Sequence, residues 1–304
     1  MLLNNPKFVA ACEISQTEAR QYSIPGPPGI PPERLGFTDL PEDPKGIIRR
    51  QLLYMDPLEV CDTEQSLSLR IASQYLKQQS NGPEPQMTPE QTLQIGDVHF
   101  EPLLPGAGGY QLSSGEAGGY QVMLNYRRAT FPTVHLRDIL AGREKARLSD
   151  LIPGRIILIG VVQPNVDSHP TSFGAEQSNG ELPGVIIQAH MISQILSAVE
   201  DGRPLIWWWP QDVEYLWIGT WSLVGSLLMW RLRSFVVRSL SLIVFVGLLL
   251  GSCMGFLLVG GWVPLAPAML GLFLSGGAMM GMIGYVNVKE ARVRQQLAME
   301  GRDV

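Results

Sequence analysis

From Ser239 to Val288 the chain runs for fifty residues without one Asp, Glu, Lys, Arg or His. Water-exposed chain of that length nearly always carries charge, whereas the hydrocarbon core of a bilayer excludes it. A soluble core can hide one such helix, but two in succession are hard to hide. The missing charge therefore predicts that the last third lies in a membrane. Cysteine is scarce as well: three residues are too few for a disulfide framework. Cys12 and Cys61 are expected as buried thiols, a pairing staying open if their domain faces an oxidising compartment. Cys253 is expected as a small packing residue inside an apolar span. Clustered basic charge is absent from a chain of net charge −5, which argues against nucleic acid as a partner. The N-terminal MLLNNPKFVAACEISQTEAR lacks a basic start and a long apolar core, so it does not read as a signal peptide.

What is present divides the chain at about residue 210. Three apolar runs predict spans at about Val213 to Trp230, Ser239 to Val259 and Val263 to Val286. Eighteen residues at a rise of 1.5 Å make the first roughly 27 Å long, just enough for a thin bilayer. Trp207, Trp208, Trp209, Tyr215 and Trp217 crowd its start as an aromatic belt would. Gly260-Gly261-Trp262 reads as a tight hairpin, and Pro264 and Pro267 fall where a helix begins. Arg231, Arg233 and Arg238 in one link, with Lys289, Arg292, Arg294 and Arg302 in the tail, are expected on the cytoplasmic side. The polar domain is then extracytoplasmic. No span holds a buried ionisable residue of the kind that marks an ion path, which disfavours a transporter. Gly271, Gly276, Gly277, Gly281 and Gly284 read as small-residue packing, and the Gly277-x-x-x-Gly281 face offers a route to a homodimer.

Residues 1–210 read as an α/β domain. Strands are expected at Lys7 to Ile14, Leu35 to Leu40, Gly46 to Met55 and Thr92 to Phe100. Helices are expected at Glu64 to Gln79, capped by Asp62, at Val134 to Leu140, capped by Thr133, and at Gly184 to Val199. Arg155 to Val162 (RIILIGVV) has the continuous β-branched run of a strand buried on both faces. Followed by a loop and a helix, it suggests an α/β unit with its ligand site past the strand's carboxyl end. The sequence AGGYQ occurs at 107–111 and 117–121. No helix directly follows either copy, so a flexible loop is expected there, not a phosphate cradle.

Asp167, Ser168 and His169 stand together just after RIILIGVV, where a site would lie. Neighbours on one loop do not readily form a nucleophile–base–orienter relay, and no Gly-x-Ser-x-Gly elbow exists. They are expected as ligand contacts, with a membrane-anchored enzyme using this loop as the alternative. Arg49 and Arg50 would pair with an acid or bind an anion, and the sequence leaves that open. His190 could reach towards His169, a weak metal case. Neither cofactor nor metal is expected.

The segments LGFTDLPEDPKGIIRRQLL, YQVMLNYRRATFPTVHLRDILAG, LIPGRIILIGVVQPNVDSHPTSFG and LPGVIIQAHMISQIL, followed by three spans, resemble the CHASE2 extracellular sensor domain over about residues 30–288. The resemblance implies no catalytic role for Gly36, Asp43, Gly46, Arg49, Gly160, Asp167, Pro183, Gly184 or Ala189. It implies a sensor that signals through its spans to a cytoplasmic output such as a kinase or nucleotide cyclase. The pattern differs at both ends: the first elements of the sensor are expected to be missing, and residues 289–304 suffice only to start a signalling helix. The resulting expectation is an extracytoplasmic α/β sensor (1–210), an all-α unit of three transmembrane helices (211–288) and a short cytoplasmic tail. Its partners would be the lipid bilayer, a small-molecule or environmental signal, and a separate kinase or cyclase.

Overall fold

The computed structural model describes residues 5–14, 23–79, 82–128, 130–163, 166–173 and 180–300. Pro164, Asn165 and Gly174 of the loop after RIILIGVV, and Arg302 of the tail, lie outside the described residues. In chain order the elements are β1 (Ala10–Cys12), β2 (Leu35–Phe37), β3 (Glu42–Asp43), β4 (Ile47–Ile48), β5 (Arg50–Tyr54) and α1 (Leu67–Gln78). Then come β6 (Pro85–Met87), β7 (Leu93–Ile95), β8 (Val98–Phe100), β9 (Tyr120–Met123), α2 (Leu136–Leu140), α3 (Lys145–Leu151), β10 (Ser168–Pro170), β11 (Glu181–Pro183) and α4 (Gly184–Asp201). The chain closes with β12 (Trp207–Trp208), α5 (Gln211–Arg231), α6 (Phe235–Leu258), β13 (Gly261–Trp262) and α7 (Leu265–Glu300). It forms two compact units, Met1–Pro105 with Leu112–Ile206, and Gly106–Gln111 with Trp207–Val304.

In the first unit the described strands make sheets of two or three: β1–β2 parallel, and β3–β4, β5–β9, β6–β7–β8 and β10–β11 antiparallel. The main core joins β5, α1, the β7–β8 hairpin, β9 and α4 through Leu53, Leu69, Leu93, Phe100, Val122 and Ile195. Helix α1 starts later than expected and is capped by Ser66, whose hydroxyl accepts from the Leu69 amide at 3.2 Å, and not by Asp62. Helix α2 follows His135, not Thr133. Helix α4 ends on Gly202 at φ +63°, a left-handed cap that glycine adopts without Cβ strain. Its inward face is Ile187, Met191, Gln194, Ile195 and Ala198, a wider surface than the expected stripe, so the helix is buried nearly all round.

Two expectations are corrected here. Cys12 and Cys61 are joined as a disulfide with their Cα atoms 5.6 Å apart, not held as thiols. The β1–β2 pairing and the turn before Thr63 bring them within bridging distance, which a separation of 49 residues did not reveal. Arg155 to Val162 is not a strand buried on both faces. Ile156 and Leu158 pack on the main core, and Gly160 lies so close to Val185 of α4 that an added Cβ would stand 2.6 Å from the Val185 Cβ. Ile157, Ile159 and Val161 are 57%, 73% and 50% exposed. Among the described residues no backbone–backbone hydrogen bond involves residues 156–162, so the run has a strand's alternation without a ladder. The expected parallel α/β unit goes with it: the fold is mixed α/β in small sheets.

The second unit is helical. Helices α5 and α7 pack closely where Gly225, Gly271 and Gly276 remove side-chain bulk, and Ser275 Oγ donates to the Ser222 carbonyl at 2.6 Å. Gly277, Gly281 and Gly284 have nothing within 4 Å of an added Cβ, so the Gly277-x-x-x-Gly281 face is not used inside this chain. The expected hairpin forms, with Gly260 at φ +83° and β13 pairing parallel with β12. Trp209, Trp217 and Phe256 pack edge to face at 5.1 to 6.3 Å. The segment Gly106–Gln111 belongs to this unit. The Gly108 amide donates to Glu214 Oε1 at 3.0 Å, and the Tyr110 ring lies 6.2 Å from Trp262. Helices α6 and α7 are long and apolar enough to cross a membrane; α5, with Asp212 and Glu214 in its first turn, does not meet the same measure.

Candidate functional site

Strand β10 carries Ser168 and His169 and pairs with β11 in the register Ser168↔Pro183 and His169↔Leu182. That pairing feeds directly into α4, because the Gly184 amide donates to the Asp167 carbonyl at 2.9 Å. An added Cβ on Gly184 would stand 2.5 Å from Asp167 Oδ2. Only glycine admits this carboxylate so close to the start of an eighteen-residue helix, whose amino end favours negative charge. Asp167 Oδ1 in turn lies 3.0 Å from His169 Nε2, and Glu42 Oε1 lies 4.0 Å from His169 Nδ1. The imidazole is buried between two carboxylates.

Glu42 arrives through β3, opposite Ile48 of β4, and Ile48 bridges in parallel to Thr171 just past β10. Beside it, Asp43 faces the other way into a buried network. Asp43 Oδ1 accepts from Arg50 Nε at 2.8 Å, and Asp43 Oδ2 from Arg49 Nη1 at 3.1 Å. Arg50 also donates to Gln121 Oε1 at 2.7 Å and to the Glu116 and Glu42 carbonyls at 2.9 and 2.7 Å. Adjacent residues on a regular strand point to opposite faces, yet both arginines reach one acid. They do so because Arg49 is the break between β4 and β5. Arg50 is fully committed inside the fold. Arg49 keeps a third of its side chain exposed and can still contact a ligand.

Of the four expected contact residues, the structure brings Asp167 and His169 into direct contact and places Ser168, half-buried, between them. Arg49 is held by Asp43, and no direct contact joins it to the Asp167–His169 pair among the described residues. Glu42, which the sequence did not single out, stands next to both groups. The turn PEDPKG was its only signal. His190 does not reach towards His169; its ring packs among Tyr126, Phe131 and Phe173 at 5.2, 4.9 and 5.4 Å. Its Nδ1 is buried without a hydrogen-bond partner. Burial, then the Arg127 and Arg203 cations, depress its pKa to about 4. Among the described residues no group of three or more His, Cys, Asp or Glu could hold a metal ion.

The arrangement orients an imidazole between acids and leaves one guanidinium within reach of solvent. That suits recognition of a polar ligand, and the printed contacts supply no nucleophile aligned on the His169–Asp167 pair. The family model of the CHASE2 domain matches residues 3–227, from the first strand of the polar unit into α5. No curated protein and no solved structure matches the chain. With three quarters of its length covered by that match, the chain belongs to the CHASE2 family of extracellular sensory domains.

Proposed function

We propose that this chain is the sensory and membrane-anchoring part of a receptor: an extracytoplasmic domain that detects a stimulus and passes it across the bilayer to a separate cytoplasmic kinase or nucleotide cyclase. The observation that carries the reading is the CHASE2 match running into α5, followed at once by two helices whose outward surfaces are apolar. Leu240, Ile243, Leu248, Leu257, Leu274 and Met282 are 56% to 69% exposed, a surface suited to lipid and costly in water. On this reading α5 is the first of three spans, with its indole-rich start at the headgroup level and the Arg231–Arg238 link in the cytosol with the carboxyl terminus. Asp167, Ser168, His169 and Arg49 contact the stimulus, which shifts the receptor only by its differential affinity for two sensor states. Gly277 and Gly281 on α7 offer a face for a second copy within the bilayer.

The test is topology. In cells making the full chain with a carboxyl-terminal tag, externally added protease should digest the first unit while the tag stays protected. A product that remains soluble without detergent, or a tag cut from outside with the first unit intact, overturns the reading. Asp167→Ala and His169→Ala should leave this topology and the thermal melt unchanged.

A further inference from the structure

The run from Arg155 to Gln163 sets side chains alternately inward and outward. Ile156, Leu158 and Gly160 face the main core and α4, while Ile157, Ile159 and Val161 face out. Backbone polar groups flanked by such side chains need partners, and among the described residues none of 156–162 has one. Natural sheet edges are blunted by charge, proline or a bulge. Here residues 156–163 contain neither charge nor proline. An unguarded apolar edge of this kind is a template for another strand.

We propose that residues 155–163 pair antiparallel, about a two-fold axis, with the same residues of a second copy of this chain. Charge selects the direction. Parallel in-register pairing would set one Arg155 beside the other at about 5 Å, whereas antiparallel pairing centred on Ile159 separates them by roughly 26 Å and places each against Gln163. In that register Ile159 meets Ile159 and Ile157 meets Val161, so the three exposed side chains of each copy cover one another. Both copies satisfy the same backbone groups at once, as a self-complementary interface requires. Leu136, Leu140 and Ile152, 60%, 79% and 45% exposed in the preceding stretch of the same unit, provide further apolar surface for the dimer.

The experiment is cysteine cross-linking of the full chain in detergent. Cys253, the free cysteine among the described residues, is first replaced by serine. Ile159→Cys should convert most of the protein to a disulfide-linked dimer under mild copper–phenanthroline oxidation, since facing Cα atoms at about 4.5 to 5.5 Å suit a disulfide. Ile157→Cys alone should link at least fivefold less, its copies being about 13 Å apart along the strands. Adding Val161→Cys to it should restore linking. Ile159→Lys, at an exposed position, should keep the thermal melt and raise the dimer dissociation constant at least tenfold. An Ile159→Cys protein that stays monomeric, equal linking at 157 and 159, or an unchanged dimer mass for Ile159→Lys each overturns the proposal. So does cross-linking of Ile159→Cys in cells to another protein without a self-linked product. The receptor topology is read separately by protease and can stand or fall independently of the cross-link.

Discussion

The first unit conceals its polar groups, and the second displays its apolar ones. In the first, Asp43, Arg50 and Gln121 sit in the interior with each charge met by a hydrogen bond, and a disulfide ties β1 to a turn 49 residues on. In the second, the close contacts are between glycines and backbone, while leucines and valines point outward. The difference is one of solvent. Water rewards burying hydrocarbon and penalises unmet charge; among lipid tails the apolar exterior costs nothing and helices associate by close packing. Against that contrast the exposed isoleucines of 157 and 159 belong to neither scheme, since they sit on a polar unit with strand spacing.

The sharpest way to break the contrast is to remove a buried charge from the first unit. Arg50→Met leaves Asp43 unpaired in the interior and should cost about 3 to 5 kcal/mol in denaturant titration of that unit, with α5, α6 and α7 retaining their helical circular dichroism. Next, Cys61→Ser or reduction opens a loop of 49 residues, and the chain-entropy relation gives a loss of about 4 kcal/mol. Thermal melts with and without reductant measure it. In the second unit Gly225→Leu forces a side chain into the Leu272 carbonyl and should cost about 2 kcal/mol in detergent unfolding. Gly251→Leu, with nothing within 4 Å, should stay within about 0.5 kcal/mol of the parent. The smallest effect comes from acid. His190 titrates near 4 when folded and near 6.5 when unfolded, so between those values the unfolded chain holds the extra proton. Stability should be full above about pH 6.5 and fall as pH drops towards 4, by about 1 to 2 kcal/mol after allowing for screening. His190→Phe should flatten that slope.

Much of this was legible because some signals are local. Fifty chargeless residues marked α6 and α7, and the periodicity of Glu64 to Gln79 marked α1, because such patterns need no knowledge of neighbours. What failed depended on partners distant in sequence. Cys12 and Cys61 needed the β1–β2 pairing to meet, and Glu42 needed the Ile48↔Thr171 bridge to come beside His169. RIILIGVV had the composition of a central strand, yet strand character is completed by a hydrogen-bonded neighbour that composition cannot name. The Asp167–His169 contact was half visible, since the two are near neighbours, but the Gly184 cradle that fixes the carboxylate was not.

The segment Gly106–Gln111 has a consequence for what a single break in the chain would do. Because this excursion is seated against Glu214 and Trp262, the peptide bond between Ile206 and Trp207 is not the sole tether of the amino-terminal portion to the helices. A nick there would leave two fragments clasped by one amide–carboxylate bond and a glycine lodged against an indole. Setting them apart would then take Glu214→Ala as well as the cut.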